Sequence, residues 1–272
     1  MGRWALSEQL DTPGGAVRWS RWGQGSPVVL LHGTPFSSWV WRDVATALAE
    51  RHEVYVWDLL GFGESDQRGG QDVSLRAQGE VFASLLHRWG LDEPDVVAHD
   101  IGGAVALRAH LLHGARYRRL ALVDVVALAP WGSPFFRLVR DHAEVFENLP
   151  PHLHAALVRE YVAGALHRSP SAEVLDRLVR PWLGEQGQSA FYRQIAQADQ
   201  RYTDEIEDRF DQVEAPVLVC WGEEDAWLPL QRGEELARRI PGARLKRIAE
   251  AGHLVQHDAP AALTAALLDF LA

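Results

Sequence analysis

The sequence predicts an α/β fold with a mostly parallel eight-stranded sheet flanked by helices. Short apolar runs alternate with longer amphipathic runs along most of the 272 residues, which is the order expected of a sheet with helices on both faces. Later runs such as VVLL (28–31) and VLVCW (217–221) are apolar throughout, as strands buried on both faces must be. The alternation is interrupted once, by a long stretch with helical patterns only.

The individual elements follow from residue periodicity and turn signals. DTPGG separates the first two strands and is typical of an antiparallel hairpin. The predicted strands are 4–10, 16–22, 28–31, 54–57, 95–98, 120–123, 217–221 and 245–248. The predicted helices outside the interrupting stretch are 37–50, 74–89, 102–113, 230–240 and 261–271.

The interruption spans 130–211 and predicts a helical lid inserted after the sixth strand. It opens with PWGSP, contains the helix-breaking pair Pro150-Pro151, and carries helical patterns such as AALVREYVAGAL. We therefore expect three parts, namely the first part of an α/β core at 1–129, a cap at 130–211, and the second part of the core at 212–272.

Composition limits the classes of partner. Lysine and arginine total 27 against 37 aspartates and glutamates, giving a net charge of −10, and no concentrated basic face suggests nucleic-acid binding. Cys220 is the only cysteine, which excludes an intrachain disulfide and a thiolate metal cluster. Without a secretory signal in MGRWALSEQL or an apolar run of about 18 residues, we expect a cytoplasmic protein without a membrane partner. The pattern does not specify the oligomeric state.

Three side chains that could do chemistry each follow a predicted parallel strand. Asp100 follows DVVAH, Asp225 lies in WGEEDAW after the strand VLVCW, and His253 lies in EAGHLVQ after RLKRI. The carboxyl ends of parallel strands meet at one edge of an open sheet, where such folds place their sites. We therefore expect these three residues to converge.

The segment DVVAHDIGG has the form of a strand that turns sharply into a helix and presents one side chain, here Asp100 where a serine is more usual. Such a bend needs small neighbours, and Ala98, Gly102 and Gly103 meet that need. In HGTP, a glycine before Thr34 lets the N–H groups of Thr34 and Ile101 point at the same spot. Two such donors would stabilise an anion by roughly 3–4 kcal/mol each.

Five segments together resemble the α/β-hydrolase family, and within it the branch of epoxide hydrolases and haloalkane dehalogenases. They are HGTPFSSWVWR, DLLGFGESD, AHDIGG, WGEEDAW and AGHLVQHDAP, and the resemblance covers essentially the whole chain. It implies that Asp100 is a nucleophile and that His253, oriented by Asp225, activates water. Asp124 is an alternative acid, because some dehalogenases place theirs after the preceding strand.

A carboxylate nucleophile implies attack on a saturated carbon, through an alkyl ester on Asp100 that a His253-activated water hydrolyses. Thr34 and Ile101 would form the oxyanion hole of the second step. This chemistry requires no metal and no organic cofactor. The expected partner is a small apolar substrate, an epoxide or a haloalkane.

The resemblance favours an epoxide over a haloalkane as the substrate. Dehalogenases hold the halide with a tryptophan after the nucleophile and with an asparagine or second tryptophan, but this chain has Ile101 and Thr34 in those places. SAFYRQ is similar to the lid segment that carries the proton-donating tyrosine of epoxide hydrolases, which makes Tyr192 the candidate. His142 is a candidate second donor. Other candidate pocket residues are Trp39, Phe135 and Trp227.

The sequence thus predicts an epoxide hydrolase that converts an epoxide to a vicinal diol. Haloalkane dehalogenase is the first alternative. A non-catalytic small-molecule-binding homologue on the same scaffold is the second. A lyase or cofactor-free oxygenase that uses His253 as a base and Asp100 only electrostatically is a third.

Overall fold

The computed structural model describes residues 4–272 and contains one eight-stranded sheet with the order β1-β2-β4-β3-β5-β6-β7-β8. This confirms the predicted fold class. The strands are β1 Glu8–Thr12, β2 Gly15–Trp22, β3 Ser26–Leu31, β4 His52–Trp57, β5 Asp95–His99, β6 Arg119–Val123, β7 Val217–Gly222 and β8 Arg244–Ile248.

The first two strands form the predicted hairpin, but β1 begins later than expected. Thr12 pairs with Gly15, so Pro13 and Gly14 alone form the turn, and residues 4–7 lie outside the sheet. β1 and β4 each pair with β2 in antiparallel fashion, whereas all pairings from β4 through β3 to β8 are parallel. The carboxyl ends of β3 and of β5 to β8 therefore share one edge.

Twelve α-helices accompany the sheet in the described part of the chain. They are α1 Arg42–Leu48, α2 Leu75–Trp89, α3 Ile101–His113, α4 Pro134–Asp141, α5 Ala143–Glu147, α6 Pro151–Ala163, α7 Ala172–Val179, α8 Gly184–Ala196, α9 Arg201–Glu207, α10 Leu230–Arg239, α11 Val255–Asp258 and α12 Pro260–Leu271. The predicted helix 37–50 is divided into a 3-10 turn at Ser38–Trp41 and α1.

The chain between β6 and β7 forms α4 to α9, and its described residues contain no strand. α8 lies at the centre of this group and contacts α4, α5 and α6. Prolines begin α4 and α6, consistent with the pre-set φ of proline in a first helical turn. The division into core and cap remains a prediction, but the helical content of the insertion agrees with it. In residues 4–272, no helix is both long and apolar enough to span a bilayer.

The bend between β5 and α3 depends on two glycines. A Cβ on Gly102 would lie 2.5 Å from the backbone oxygen of His32, and a Cβ on Gly103 would lie 2.3 Å from Cγ1 of Val125. Both distances are far shorter than a van der Waals contact allows. The small residues therefore let α3 pack directly against the carboxyl end of β3 and the segment after β6.

We predict that Gly102→Ala lowers the free energy of unfolding by roughly 1–3 kcal/mol, because the new methyl group meets backbone that cannot move aside cheaply. Chemical denaturation measures the change. Gly69→Ala is the matched control, since a Cβ there has open space around it. Equal stability of the two variants would contradict this account of the bend.

Candidate active site

Asp100 lies on the bend between β5 and α3 in a strained backbone conformation. Its φ of 51° lies in a region that side chains other than glycine rarely adopt, and the residue is only 4% exposed. Two backbone donors hold the bend, since the N–H groups of Gly103 and Val126 both donate to the carbonyl of Asp100 at 3.0 Å. Strain held in this way is typical of functional positions.

His253 and Asp225 meet the Asp100 carboxylate at the edge formed by the carboxyl ends of the strands. His253 Nδ1 lies 2.9 Å from Asp225 Oδ2, and its Nε2 lies 3.4 Å from Asp100 Oδ2. The other oxygen of Asp225 accepts hydrogen bonds from the N–H groups of Trp227 and Leu228, at 2.8 and 2.9 Å. The structure therefore brings together the three residues that the sequence placed after separate strands.

The charges in this group shift each other's protonation. Burial lowers the pKa of His253, but the carboxylates of Asp225 and Asp100 outweigh burial and raise the pKa well above its ordinary value. Burial raises the pKa of Asp225, whereas His253 and the two backbone donors more than reverse that effect and lower the pKa. Both shifts favour an imidazolium at His253 paired with the Asp225 carboxylate.

His99 adds no competing charge, although its ring lies 4.8 Å from that of His253. Burial, together with the nearby His253, lowers the pKa of His99 to about 3. The neutral ring lies 2.9 Å from the backbone carbonyl of His253 through Nε2. With its Nε2 proton it donates to that carbonyl, and it supports the loop without repelling the imidazolium.

Asp124, the alternative acid, lies beside Asp225 and not on His253. Its Oδ1 accepts from the N–H of Gly222 at 2.9 Å, while Oδ2 is buried without a hydrogen-bond donor from residues 4–272. Burial, followed by the negative charge of Asp225, raises its pKa well above the ordinary value. Burial beside the Asp225 carboxylate therefore favours the neutral form of Asp124.

The two backbone donors expected for the oxyanion hole lie at the same site. The N–H of Thr34 donates to Asp100 Oδ1 at 2.7 Å, and Ile101 is the first residue of α3, where N–H groups have no partner inside the helix. A Cβ on Gly33 would lie 2.3 Å from Cβ of Asp100, so only glycine allows this approach. Both predicted donors are adjacent to the carboxylate.

A cavity of about 140 Å³ opens onto Asp100. Its walls are mostly apolar and aromatic, and they are formed by Thr34, Asp100, Ile101, Val126, Trp131, Gly132, Ser133, Phe136, Tyr161, Ala226, Trp227 and Leu228. Within residues 4–272, no group of three or more His, Cys, Asp or Glu side chains is arranged to hold a metal ion. The space fits a small, largely apolar molecule.

Tyr161 of α6 supplies the phenol in this cavity. Its ring stacks on Trp227 with the centroids 4.7 Å apart, and Trp227 lies 4.9 Å from the ring of His253. Burial and the charge of Asp100 raise the pKa of Tyr161, so the phenol stays protonated at neutral pH. Among the described residues, its hydroxyl has no hydrogen-bond partner.

Tyr192, the tyrosine predicted from SAFYRQ, points elsewhere. It is fully buried, and its hydroxyl lies 2.9 Å from Nδ1 of His154, whose Nε2 lies 2.8 Å from the carbonyl of Trp182. Because the carbonyl can only accept, Nε2 of a neutral His154 carries the proton and the Tyr192 hydroxyl donates to Nδ1. Burial raises the pKa of Tyr192 to about 12. The hydroxyl is thus engaged away from the cavity walls.

Helix geometry explains why Tyr192 is turned away from Asp100. Side chains two residues apart on α8 differ by about 200° around the axis. The side chain of Gln194 points toward Thr34, and its Oε1 accepts a hydrogen bond from the Thr34 hydroxyl at 2.6 Å. Tyr192 therefore faces the other side, toward His154.

Of the remaining predicted pocket residues, one lines the Asp100 cavity and the others lie outside it. Trp227 lines the cavity. Phe135 packs against the ring of Tyr161 at 5.2 Å but lies behind the cavity wall. His142 is exposed at the junction of α4 and α5, and Trp39 lies in a separate depression, covered by the Arg42 guanidinium at 3.9 Å.

The sequence interpretation missed Tyr161 and Gln194. AALVREYVAGAL contains a tyrosine in an otherwise apolar helical run, which is a weak signal for a buried hydroxyl. Gln194 follows Tyr192 by two residues in SAFYRQIA, and no local feature distinguishes it. Both positions depend on how α6 and α8 pack over the sheet edge.

Comparisons with known proteins identify the family of this chain. The model of the family described as alpha/beta hydrolase fold matches residues 26–260. Haloalkane dehalogenase 2 of Mycobacterium tuberculosis is 27% identical over 97% of this chain and 94% of its own length. The crystal structure of an alpha/beta hydrolase fold protein from Burkholderia ambifaria is 48% identical, with a TM-score of 0.95 and 98% coverage of both chains.

A thermophilic esterase from Thermogutta terrifontis is 26% identical, with a TM-score of 0.80 over 97% of this chain and 98% of that one. The fold and the family match together mean that the chain belongs to the α/β-hydrolase family. Within that family it is a hydrolase with haloalkane-dehalogenase-like relatives at modest identity.

We predict that Asp225→Asn lowers the pKa of His253, measured by NMR titration of the imidazole, because burial remains while an adjacent anion is lost. Asp124→Asn should leave that pKa nearly unchanged, since it replaces a neutral acid with a neutral amide. The reverse order of effects would identify Asp124 as the anionic partner of His253.

Proposed function

We propose that the protein is an epoxide hydrolase that opens its substrate through an alkyl ester on Asp100. One observation carries the proposal, namely that a carboxylate replaces the usual hydroxyl nucleophile in the same cavity as the unpartnered phenol of Tyr161. A carboxylate suits attack on a saturated carbon, and a phenol suits protonation of the oxygen that departs.

In the first step, Asp100 Oδ2 attacks one epoxide carbon and forms a C–O bond. The ring C–O bond breaks, and its electron pair passes to the epoxide oxygen, which takes the proton of the Tyr161 hydroxyl. Oδ1 stays in the hydrogen bond from the Thr34 N–H. The product of this step is a hydroxyalkyl ester of Asp100 and a tyrosinate.

Between the two steps, the His253 imidazolium gives its Nε2 proton through solvent to the Tyr161 tyrosinate. In the second step, the neutral Nε2 removes a proton from water while the water oxygen attacks Cγ of the Asp100 ester. The negative charge develops on Oδ1, next to the N–H groups of Thr34 and Ile101. The ester C–O bond then breaks, the departing oxygen takes the hydroxyl proton of the tetrahedral centre, and the diol leaves with the Asp100 carboxylate and the His253 imidazolium restored. The sum is one epoxide and one water converted to one diol.

Ester formation also prepares His253 for the second step. The charge of Asp100 is one of the two influences that raise the His253 pKa, and esterification removes it. The imidazolium therefore loses its proton more easily once the ester is present. Asp225 remains hydrogen-bonded at Nδ1 and leaves Nε2 free to act as the base.

Haloalkane dehalogenation is the second candidate, because Haloalkane dehalogenase 2 aligns over nearly the whole chain. A halide leaves as an anion and needs N–H donors in place of an acid. Ile101 and Thr34 lack side-chain N–H groups, and two nearby indoles already donate elsewhere, Trp131 to Thr203 at 2.7 Å and Trp182 to the Pro35 carbonyl at 2.6 Å. Trp227 is then the one indole of the cavity wall without an acceptor in residues 4–272, and a single N–H donor beside the unpartnered Tyr161 phenol favours an epoxide.

The first test traps the intermediate. His253→Gln should react with styrene oxide and accumulate an adduct on Asp100, because attack is retained while the base is lost; intact-mass and peptide mass spectrometry measure it. With the unmodified enzyme in ¹⁸O-water, a single turnover should place the label in Asp100 and leave the diol unlabelled.

Asp100→Asn is the control and should form no adduct. Tight reversible binding without an adduct would indicate a binding protein. Turnover that survives Asp100→Asn would indicate that Asp100 acts only electrostatically and that His253 is the main base.

The second test assigns the acid. Tyr161→Phe should lower kcat for epoxides by roughly 10²–10⁴-fold, the usual contribution of a general acid, and should leave any haloalkane turnover nearly unchanged. Tyr192→Phe is the matched control on α8. Parallel assays of acid release and diol formation on haloalkanes and epoxides supply the measurement. A larger loss of kcat in Tyr192→Phe than in Tyr161→Phe would identify Tyr192 as the general acid.

A further inference from the structure

A second cavity of about 250 Å³ adjoins the Asp100 cavity. The residues that line both are Val126, Trp131, Gly132, Ser133, Trp227 and Leu228. These residues form a common wall between the start of the inserted segment and the loop before α10. The second cavity therefore lies directly beside the first, along residues that line both.

Arg232 lines the second cavity, which we call the outer cavity, and it is absent from the walls of the Asp100 cavity. The half-buried guanidinium donates to the carbonyls of Ala129 and Pro130 at 2.6 and 3.3 Å. Two of its five N–H groups are thus used to position the side chain. Within residues 4–272, no carboxylate lies in ion-pair distance of it.

Glu207 is the acid that contacts the segment held by Arg232, and both of its carboxylate oxygens already have partners. Its Oε2 accepts from the N–H of Ala129 at 3.1 Å, while its Oε1 lies 2.6 Å from the Arg239 guanidinium. Arg232 also lies in the first turn of α10, a ten-residue helix whose positive end adds to the local potential. The outer cavity is therefore cationic at one side in a chain of net charge −10.

We propose that the outer cavity is a subsite for a carboxylate carried by the substrate, held by the free N–H groups of Arg232. The substrate class is then an epoxide joined by a short apolar chain to a carboxylic acid. Val126, Trp131 and Leu228 of the common wall contact the chain, while the epoxide lies between Asp100 and Tyr161. This inference rests on the proposed function for the epoxide and on Arg232 for the carboxylate.

The carboxylate subsite is tested by measuring the binding of ligands that the protein cannot turn over. Octanoate and octanamide have nearly the same shape and differ in charge, so titration calorimetry of both with the unmodified protein isolates the anion. We expect octanoate to bind at least 10-fold more tightly, and we expect Arg232→Met to remove that difference. Arg232→Lys, which keeps a positive charge, should retain part of it.

Arg238→Met is the matched control, because Arg238 is an exposed arginine of the same helix outside the cavity. An equal loss in both variants would mean a general charge effect and would overturn the subsite. Equal affinity of octanoate and octanamide for the unmodified protein would overturn it without any variant.

The connection to catalysis is tested with a terminal epoxide that carries a carboxylate and with its amide analogue. We expect Arg232→Met to raise KM for the acid at least 10-fold and to leave kcat and the amide reaction unchanged. Arg232-dependent octanoate binding without opening of either epoxide would refute the proposed reaction and retain the subsite. If the unmodified protein opened the acid epoxide and the amide epoxide with equal KM, the proposed reaction would stand and the carboxylate subsite would be refuted.

Discussion

The rest of the site depends on where the Asp100 carboxylate is held. One oxygen accepts the Thr34 N–H at 2.7 Å, and the other faces His253 Nε2 at 3.4 Å. This position requires a strained φ at Asp100 and the absence of side chains at Gly33 and Gly102. Strand, bend and helix thus present a carboxylate whose two oxygens have different surroundings, which suits a group that attacks with one oxygen and is later stabilised at the other.

The buried charges are compatible because one of the acids is neutral. Asp100, Asp124 and Asp225 lie around a single His253, and three anions with one cation would be costly to bury. The raised pKa of Asp124, caused by burial and by Asp225, removes one of these charges. Two carboxylates then flank the imidazole of His253.

The inserted helices complete the site from above the sheet edge. α6 contributes the Tyr161 phenol, and α8 contributes Gln194, which accepts from the Thr34 hydroxyl beside the oxyanion donors. The start of the insertion forms the wall common to the two cavities. Helices that carry no recognisable motif therefore determine the size and polarity of the cavity, while the sheet edge carries Asp100, Asp225 and His253.

The sequence by itself determined the fold class, the bend and the convergence of Asp100, Asp225 and His253, because strand periodicity and short motifs are local and parallel strands end at one edge. The sequence favoured Asp225 over Asp124 but kept both, since both follow strands. The tertiary structure decided between them, because the Asp225 carboxylate is the one that reaches Nδ1 of His253. It also placed Tyr161 in the cavity in place of Tyr192. The rotation of α8 that directs Gln194 to Thr34 turns Tyr192 toward His154, and that rotation is set by packing between distant segments.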